Sequence, residues 1–158
     1  SRNLRTITLT PEYAGAVLSG SGTGVMANGY DSTNGKSYYQ WNATALSDQT
    51  YEVAVTFALP SDWSEWASGN AICVSTKLDH AANASARLYV LNSNNGGIDV
   101  NGPTISPTGV DVWDSRCYSL TSSNYGPNGV MVMRIAMTAK NSASLYLGDI
   151  TLTYLSSF

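Results

Sequence analysis

The chain of 158 residues is one domain's worth of sequence, long enough to bury a core without metals or staples. Only 12% of it is charged while 43% is hydrophobic, and Ser, Thr, Asn and Gly together supply about 40%, so the polar surface is built from hydroxyls and amides. That balance excludes a disordered chain, and a net charge of −3 with eight scattered Lys and Arg excludes a basic nucleic-acid footprint.

In chain order the dominant period is two. Short strands are predicted over residues 4–10, 14–18, 25–30 and 37–42. Residues 49–59 follow, with Tyr51, Val53, Val55, Phe57 and Leu59 on one face. Residues 60–68 can form one helical turn. Residues 71–78 set Ile72, Val74, Thr76 and Leu78 together, 79–86 can turn once more, and 86–91 pairs Leu88 with Val90. Segments 110–113 and 116–120 come next. Residues 130–138 then place Met131, Met133, Ile135 and Met137 on one side. Residues 144–154 change phase at Gly148-Asp149, which reads as a β-bulge. Turn signals stand at Asn34-Gly35, Asn95-Gly96-Gly97, Asn101-Gly102-Pro103 and 126–129. About ten short, regularly punctuated strands imply a two-sheet sandwich or a barrel in one all-β domain spanning 1–158. No apolar run is long enough for a membrane-spanning helix, so no membrane insertion is expected. The N-terminus shows no charged-then-apolar leader, the pattern of a processed chain or an excised domain.

A strand wetted on one face should alternate cleanly. Residues 130–137 are apolar on both faces except for Arg134, and 71–74 and 88–91 are two-sided as well. Either a loop covers the outer face, or that face packs on a neighbouring subunit. The second reading makes Val130, Val132, Arg134 and Ala136 an oligomer interface, and sparse charge agrees with it.

Ten Tyr and four Trp against two Phe favour half-wet aromatic surfaces. Trp63 and Trp66 stand beside Asp62 and Glu65. An indole stacks on the apolar face of a sugar ring while carboxylates accept its hydroxyl protons, so this loop is the leading ligand-binding candidate. The competing reading has the two indoles plug the end of the sandwich. In Tyr38-Tyr39-Gln40-Trp41, alternation sends Tyr39 and Trp41 inward and leaves Tyr38 and Gln40 outward as a weaker candidate.

Catalytic chemistry is not legible. The single His80 follows Asp79 in a polar turn, and no nucleophile elbow is present. The acids Glu12, Glu52, Asp62 and Glu65 form no evident pair for glycoside hydrolysis. Residues 20–24 are glycine-rich but lack a phosphate loop's lysine and helix, and read as a hairpin turn. No cofactor is expected. Asp111 with Asp114, or Asp99 with the amides of residues 92–95, offer hard oxygen ligands for calcium, though such residues are also ordinary in turns, and no metal site is assigned. Cys73 and Cys117 both lie in the outward phase and can pair as a disulfide if their strands are adjacent, the alternative being two separate thiols. Asn42-Ala-Thr44 and Asn83-Ala-Ser85 match the glycosylation acceptor pattern, at a frequency chance explains.

The string running through Thr8-Leu9-Thr10-Pro11-Glu12-Tyr13, Gly29-Tyr30-Asp31-Ser32, Tyr38-Tyr39-Gln40-Trp41 and Leu59-Pro60-Ser61-Asp62-Trp63 resembles C-terminal jelly-roll head domains of bacterial fibre-like surface proteins. In general shape the chain is also similar to trimeric phage-fibre and C1q/TNF-like heads. The resemblance implies a distal head on a stalk and brings no catalytic residue with it. The resulting expectation is a jelly-roll β-sandwich, extracellular and homotrimeric, serving as a non-catalytic attachment head at a cell surface or on a fibre. The alternative is a carbohydrate-binding module of a secreted enzyme, monomeric, with aromatics open to solvent and a glycan as partner.

Overall fold

The computed structural model describes residues 2–105 and 107–158. Its strands are β1 (Leu4–Leu9), β2 (Ala16–Ser19), β3 (Val25–Asp31), β4 (Lys36–Ala43), β5 (Gln49–Ala58), β6 (Trp63–Trp66), β7 (Ile72–Leu78), β8 (Ala84–Leu91), β9 (Ile98–Ile105), β10 (Asp114–Tyr118), β11 (Val130–Ala139) and β12 (Ala143–Ser156). One 3-10 turn, Ser122–Asn124, is the helical content among the described residues.

The strands form two sheets, with all described pairings antiparallel. A seven-stranded sheet runs β10-β7-β12-β4-β3, with β1 and β6 also paired to the long β12. A five-stranded sheet runs β2-β5-β11-β8-β9. The inward phases of both sheets make one core. Met131, Met133, Ile135 and Met137 of β11 face Trp41 of β4 and Leu145, Leu147, Ile150 and Leu152 of β12, all essentially solvent-free. Each such side chain contributes about 1.5–3 kcal/mol through burial. The architecture is the expected jelly-roll β-sandwich.

The bulge at Gly148-Asp149 is present as a register shift between Leu147 and Ile150. It lets Leu145 and Leu147 ahead of it, and Ile150 and Leu152 behind it, all point inward.

Several local expectations need correction. Residues 110–113 are not a strand; they belong to the connection that leads into β10. Residues 20–24 carry the chain from β2 in one sheet to β3 in the other, so they are a crossing between sheets and not a hairpin turn. Asn101-Gly102-Pro103 is no turn either, since it lies inside β9. Gly102 takes φ 74° there, at a register shift opposite the stretch Arg87–Tyr89, and the Tyr89 ring covers its α-carbon. Pro103 is tolerated because β9 is an edge strand that needs no donor on its free side. Residues 60–68 do not form a helical turn. A turn at 61–62 leads into β6, which pairs with the end of β12.

The outward face of β11 places Val130 in solvent and leaves Val132, Arg134 and Ala136 half-buried. Their cross-strand neighbours account for much of that cover. Arg134 lies 4.8 Å over the Tyr89 ring, and its Nη1 is 3.5 Å from Glu52.

Candidate functional site

The predicted loop site is closed. Trp63 and Trp66 retain 3% and 5% of their exposure. Where β6 meets β12, Leu155 opposes Glu65 but Ser156 opposes Trp63, so Ser64 is an extra residue in β6 and lets two residues three apart turn the same way, where strict alternation would oppose them. The indoles meet edge to face at 5.6 Å, and Trp66 meets Tyr125 likewise at 5.2 Å. Asp62 accepts the Tyr154 hydroxyl at 3.0 Å and lies 3.4 Å from Arg5 Nε. Glu65 pairs with Arg2 at 2.9 Å. The carboxylates thus serve ion pairs at the rim, and the indoles plug the end of the sandwich. Burial, then the hydrogen bond to Asp99, pushes the Tyr125 phenol far above its ordinary pKa.

Among the calcium candidates Asp99, Asn92 and Asp114 are likewise engaged. Asp99 accepts from Thr121 N, Thr121 Oγ1 and Tyr125 Oη, and Asn92 Oδ1 caps the amides of Asn94 and Asn95. Asp114 accepts from Thr108 N and pairs with Arg116. No cluster of three His, Cys, Asp or Glu suited to a metal exists among the described residues. A depression of about 250 Å³ near Ala81, Ser85, Thr104 and Pro107 has no charged or aromatic lining with which to orient a sugar.

A different aromatic group forms on the outer face of the seven-stranded sheet. Alternation along β4 buries Tyr39 and Trp41 and turns Tyr38 and Gln40 outward, as the sequence predicts. In β12 Tyr146, ahead of the bulge, lies in register with Gln40 of β4 and Lys77 of β7. Trp113 joins them from the segment before β10. Its indole lies over Gly148, where an added Cβ would come within 3.0 Å of the ring. A side chain at 148 would therefore displace the indole.

The rings of Tyr38 and Tyr146 are 5.1 Å apart at 80°, Tyr38 and Trp113 6.2 Å at 44°, and Trp113 and Tyr146 6.5 Å at 69°. Lys77 Nζ stands 4.5 Å above Tyr146 and 5.4 Å above Trp113, a cation–π arrangement. All three aromatics are half-buried, so they offer apolar surface to solvent while remaining fixed.

The polar surround is equally ordered. Trp113 Nε1 donates to Asp31 Oδ2 at 3.0 Å, tying the segment before β10 to the β3–β4 hairpin. The Asn34 amide and then the Trp113 indole hold the Asp31 carboxyl down at about 2. Burial first, and the Asp79 carboxylate second, raise the Tyr146 phenol. Ser144 Oγ receives Gln40 Nε2 at 3.0 Å and Asn42 Nδ2 at 2.9 Å. Asn42 Nδ2 also reaches the Ser142 and Ala143 carbonyls, so this amide of the first acceptor pattern is occupied. From Tyr38 to Asn42 the strand runs about 13 Å. Rings stand at one end of that track and hydrogen-bonding amides at the other.

On the same sheet, Cys73 of β7 and Cys117 of β10 face each other in register and form a disulfide with S–S 2.03 Å.

The sequence signals Trp113 and Tyr146 unequally. Tyr146 had a usable signal, since it stands in the phase opposite Leu145 and Leu147. Trp113 had none, because its position depends on a turn and not on a period.

No protein-family profile matches the sequence, and no curated protein does. The fold does have relatives among solved structures. TmCBM61, solved with β-1,4-galactotriose, superposes with a TM-score of 0.51 at 10% identity, over 95% of this chain and 86% of its own. The CBM22-1 xylan-binding domain of Paenibacillus barcinonensis Xyn10C gives 0.51 at 12%, over 96% and 94%. The CBM22-1-GH10 modules of Clostridium thermocellum xylanase 10B, solved with xylohexaose, give 0.56 at 14%. This chain covers 94% of its own length in that match and 28% of the xylanase chain. At these identities the likeness is one of fold: this is a jelly-roll β-sandwich of the architecture that carbohydrate-binding modules use.

Proposed function

We propose that the chain is a non-catalytic carbohydrate-binding module acting outside the cell, with the Tyr38–Trp113–Tyr146 face as its glycan site. The observation that carries this reading is the half-exposed ring cluster bordered by amide, hydroxyl and carboxylate groups. Sugar rings present apolar C–H faces edged by hydroxyls, and a fixed aromatic beside polar groups matches both. The solved relatives with bound oligosaccharides support it at the level of architecture. The disulfide and the amide-rich, charge-poor surface suit an oxidising, extracytoplasmic setting. The test is calorimetric titration with soluble β-1,4-galactan, xylan and glucan oligosaccharides. Binding that Trp113→Ala removes upholds the proposal; a folded protein that binds none of them refutes it.

A second reading, the homotrimeric fibre head, draws on one observation. Val17, Val130 and Ile98 on the outer face of the five-stranded sheet keep 64%, 51% and 54% of their exposure, and exposed aliphatic patches mark contact surfaces. It predicts a trimer that Val130→Glu dissociates, as read by light scattering. A monomer at all concentrations removes it. The comparisons favour the carbohydrate-binding alternative over this one.

A further inference from the structure

We propose that the Cys73–Cys117 disulfide is a positioning element of the aromatic face: it fixes β10 on β7 and thereby keeps Trp113 seated against Tyr38 and Tyr146. The inference rests on the glycan reading only for its ligand read-out.

β10 is an edge strand, and its ladder to β7 spans only Asp114–Tyr118. Edge strands with one short ladder are where local opening starts. The connection ahead of β10 leads from the edge of the five-stranded sheet, and among its described residues the backbone anchors are Asp111 N to Leu78 O at 2.8 Å and Thr108 N to Asp114 Oδ2 at 3.1 Å. Trp113 is the last residue of that connection. Its contacts reach side chains on four separate elements: Asp31 of the β3–β4 hairpin, Tyr38 of β4, Lys77 of β7 and Tyr146 of β12. None of these holds its backbone, so the start of β10 decides where the indole sits.

The disulfide joins a directly opposed pair, Cys117 to Cys73, four residues beyond Trp113 and toward the far end of the β10 ladder. It lies on the same outer face as Ser75 and Lys77, the β7 residues beneath and beside the indole. A covalent bond at that pair keeps β10 from leaving β7 altogether or slipping in register, and either motion would carry Trp113 off Gly148. A thiol reductant such as dithiothreitol removes the constraint. The S–S bond breaks and takes up two electrons and two protons as two thiols form, while the reductant closes into a cyclic disulfide.

The test compares the oxidised protein, the same protein reduced with dithiothreitol, and the Cys73→Val/Cys117→Val variant. Two quantities are measured: amide hydrogen exchange by segment, and affinity for xylohexaose and β-1,4-galactotriose. Exchange across residues 107–118 is expected to rise at least tenfold beyond any rise in β11, and affinity to fall at least tenfold. The proposal is overturned if exchange at 107–118 stays the same, or rises only in step with β11 as the whole fold opens. It is equally overturned if that segment opens and affinity does not change. An oxidised protein that binds neither sugar refutes the glycan reading, and the exchange arm then decides the positioning claim by itself.

Discussion

Two aromatic groups on this molecule use similar residues to opposite ends. Trp63, Trp66 and Tyr125 pack edge to face at the end of the sandwich and are almost solvent-free. Tyr38, Trp113 and Tyr146 pack at similar distances on the outside of a sheet and stay half-open. The difference lies in what stands behind the rings. At the end of the sandwich, β6 folds across the core's open edge and its indoles complete that core. On the sheet the core is already filled by Tyr39, Trp41, Leu145 and Leu147, so the outward phase is free for another purpose. Aromatic density alone does not separate a plug from a platform; strand phase does.

The largest test of this contrast is a pair of truncations. Trp66→Ala should lower folding stability by about 3–5 kcal/mol, the usual cost of emptying a core site. Trp113→Ala should lower it by no more than about 1–2 kcal/mol, since it loses ring contacts without opening the core. Urea unfolding checks both, and equal losses would erase the distinction. Next, reduction of Cys73–Cys117, 44 residues apart, should lower global stability by about 4 kcal/mol through the entropy gained by the unfolded chain.

The two groups should also fail at opposite ends of the pH scale. Tyr125 has a folded pKa raised well above the usual value of about 10. Its contribution is complete below about pH 10 and is lost as the pH climbs past that, because only the unfolded chain then gives up the proton. Tyr125→Phe should flatten this alkaline slope, as thermal melts between pH 9 and 11 would show. Asp31 has a folded pKa of about 2, below the unfolded carboxylate value of about 3.9. Its smaller contribution is complete above about pH 4 and is lost as the pH falls through about 2. Indole signals from Trp113 should therefore change in acid before the bulk fold does, and Asp31→Asn should remove that step.

Much of the architecture could be read from alternation. The inward phases of β4, β5, β7, β8 and β11, and the bulge in β12, follow from apolar spacing that the two-sheet core enforces. β6 and β9 could not be read this way. β6 holds two tryptophans three apart, a spacing that only the extra residue Ser64 reconciles with a strand. β9 carries Asn101-Gly102-Pro103, whose turn chemistry is overridden by its place at a sheet edge. The site was half legible. Tyr38 and Gln40 show their outward phase in the sequence, whereas Trp113 arrives through a turn whose destination is set by β10, Asp31 and the space over Gly148. Two indoles beside two carboxylates look alike in sequence whether they face water or a core, and Trp63 and Trp66 are buried.

The account's central claim is that the rings on the seven-stranded sheet take a glycan. A chemical-shift titration with xylohexaose and β-1,4-galactotriose tests it most directly, since it reports where a ligand sits as well as whether it binds. Saturable shifts are predicted at Tyr38, Trp113, Tyr146 and Lys77, with the Trp63 and Trp66 indoles unmoved. Shifts confined to the Trp63–Trp66 end or to the outer face of β11, or none with either sugar, would contradict it.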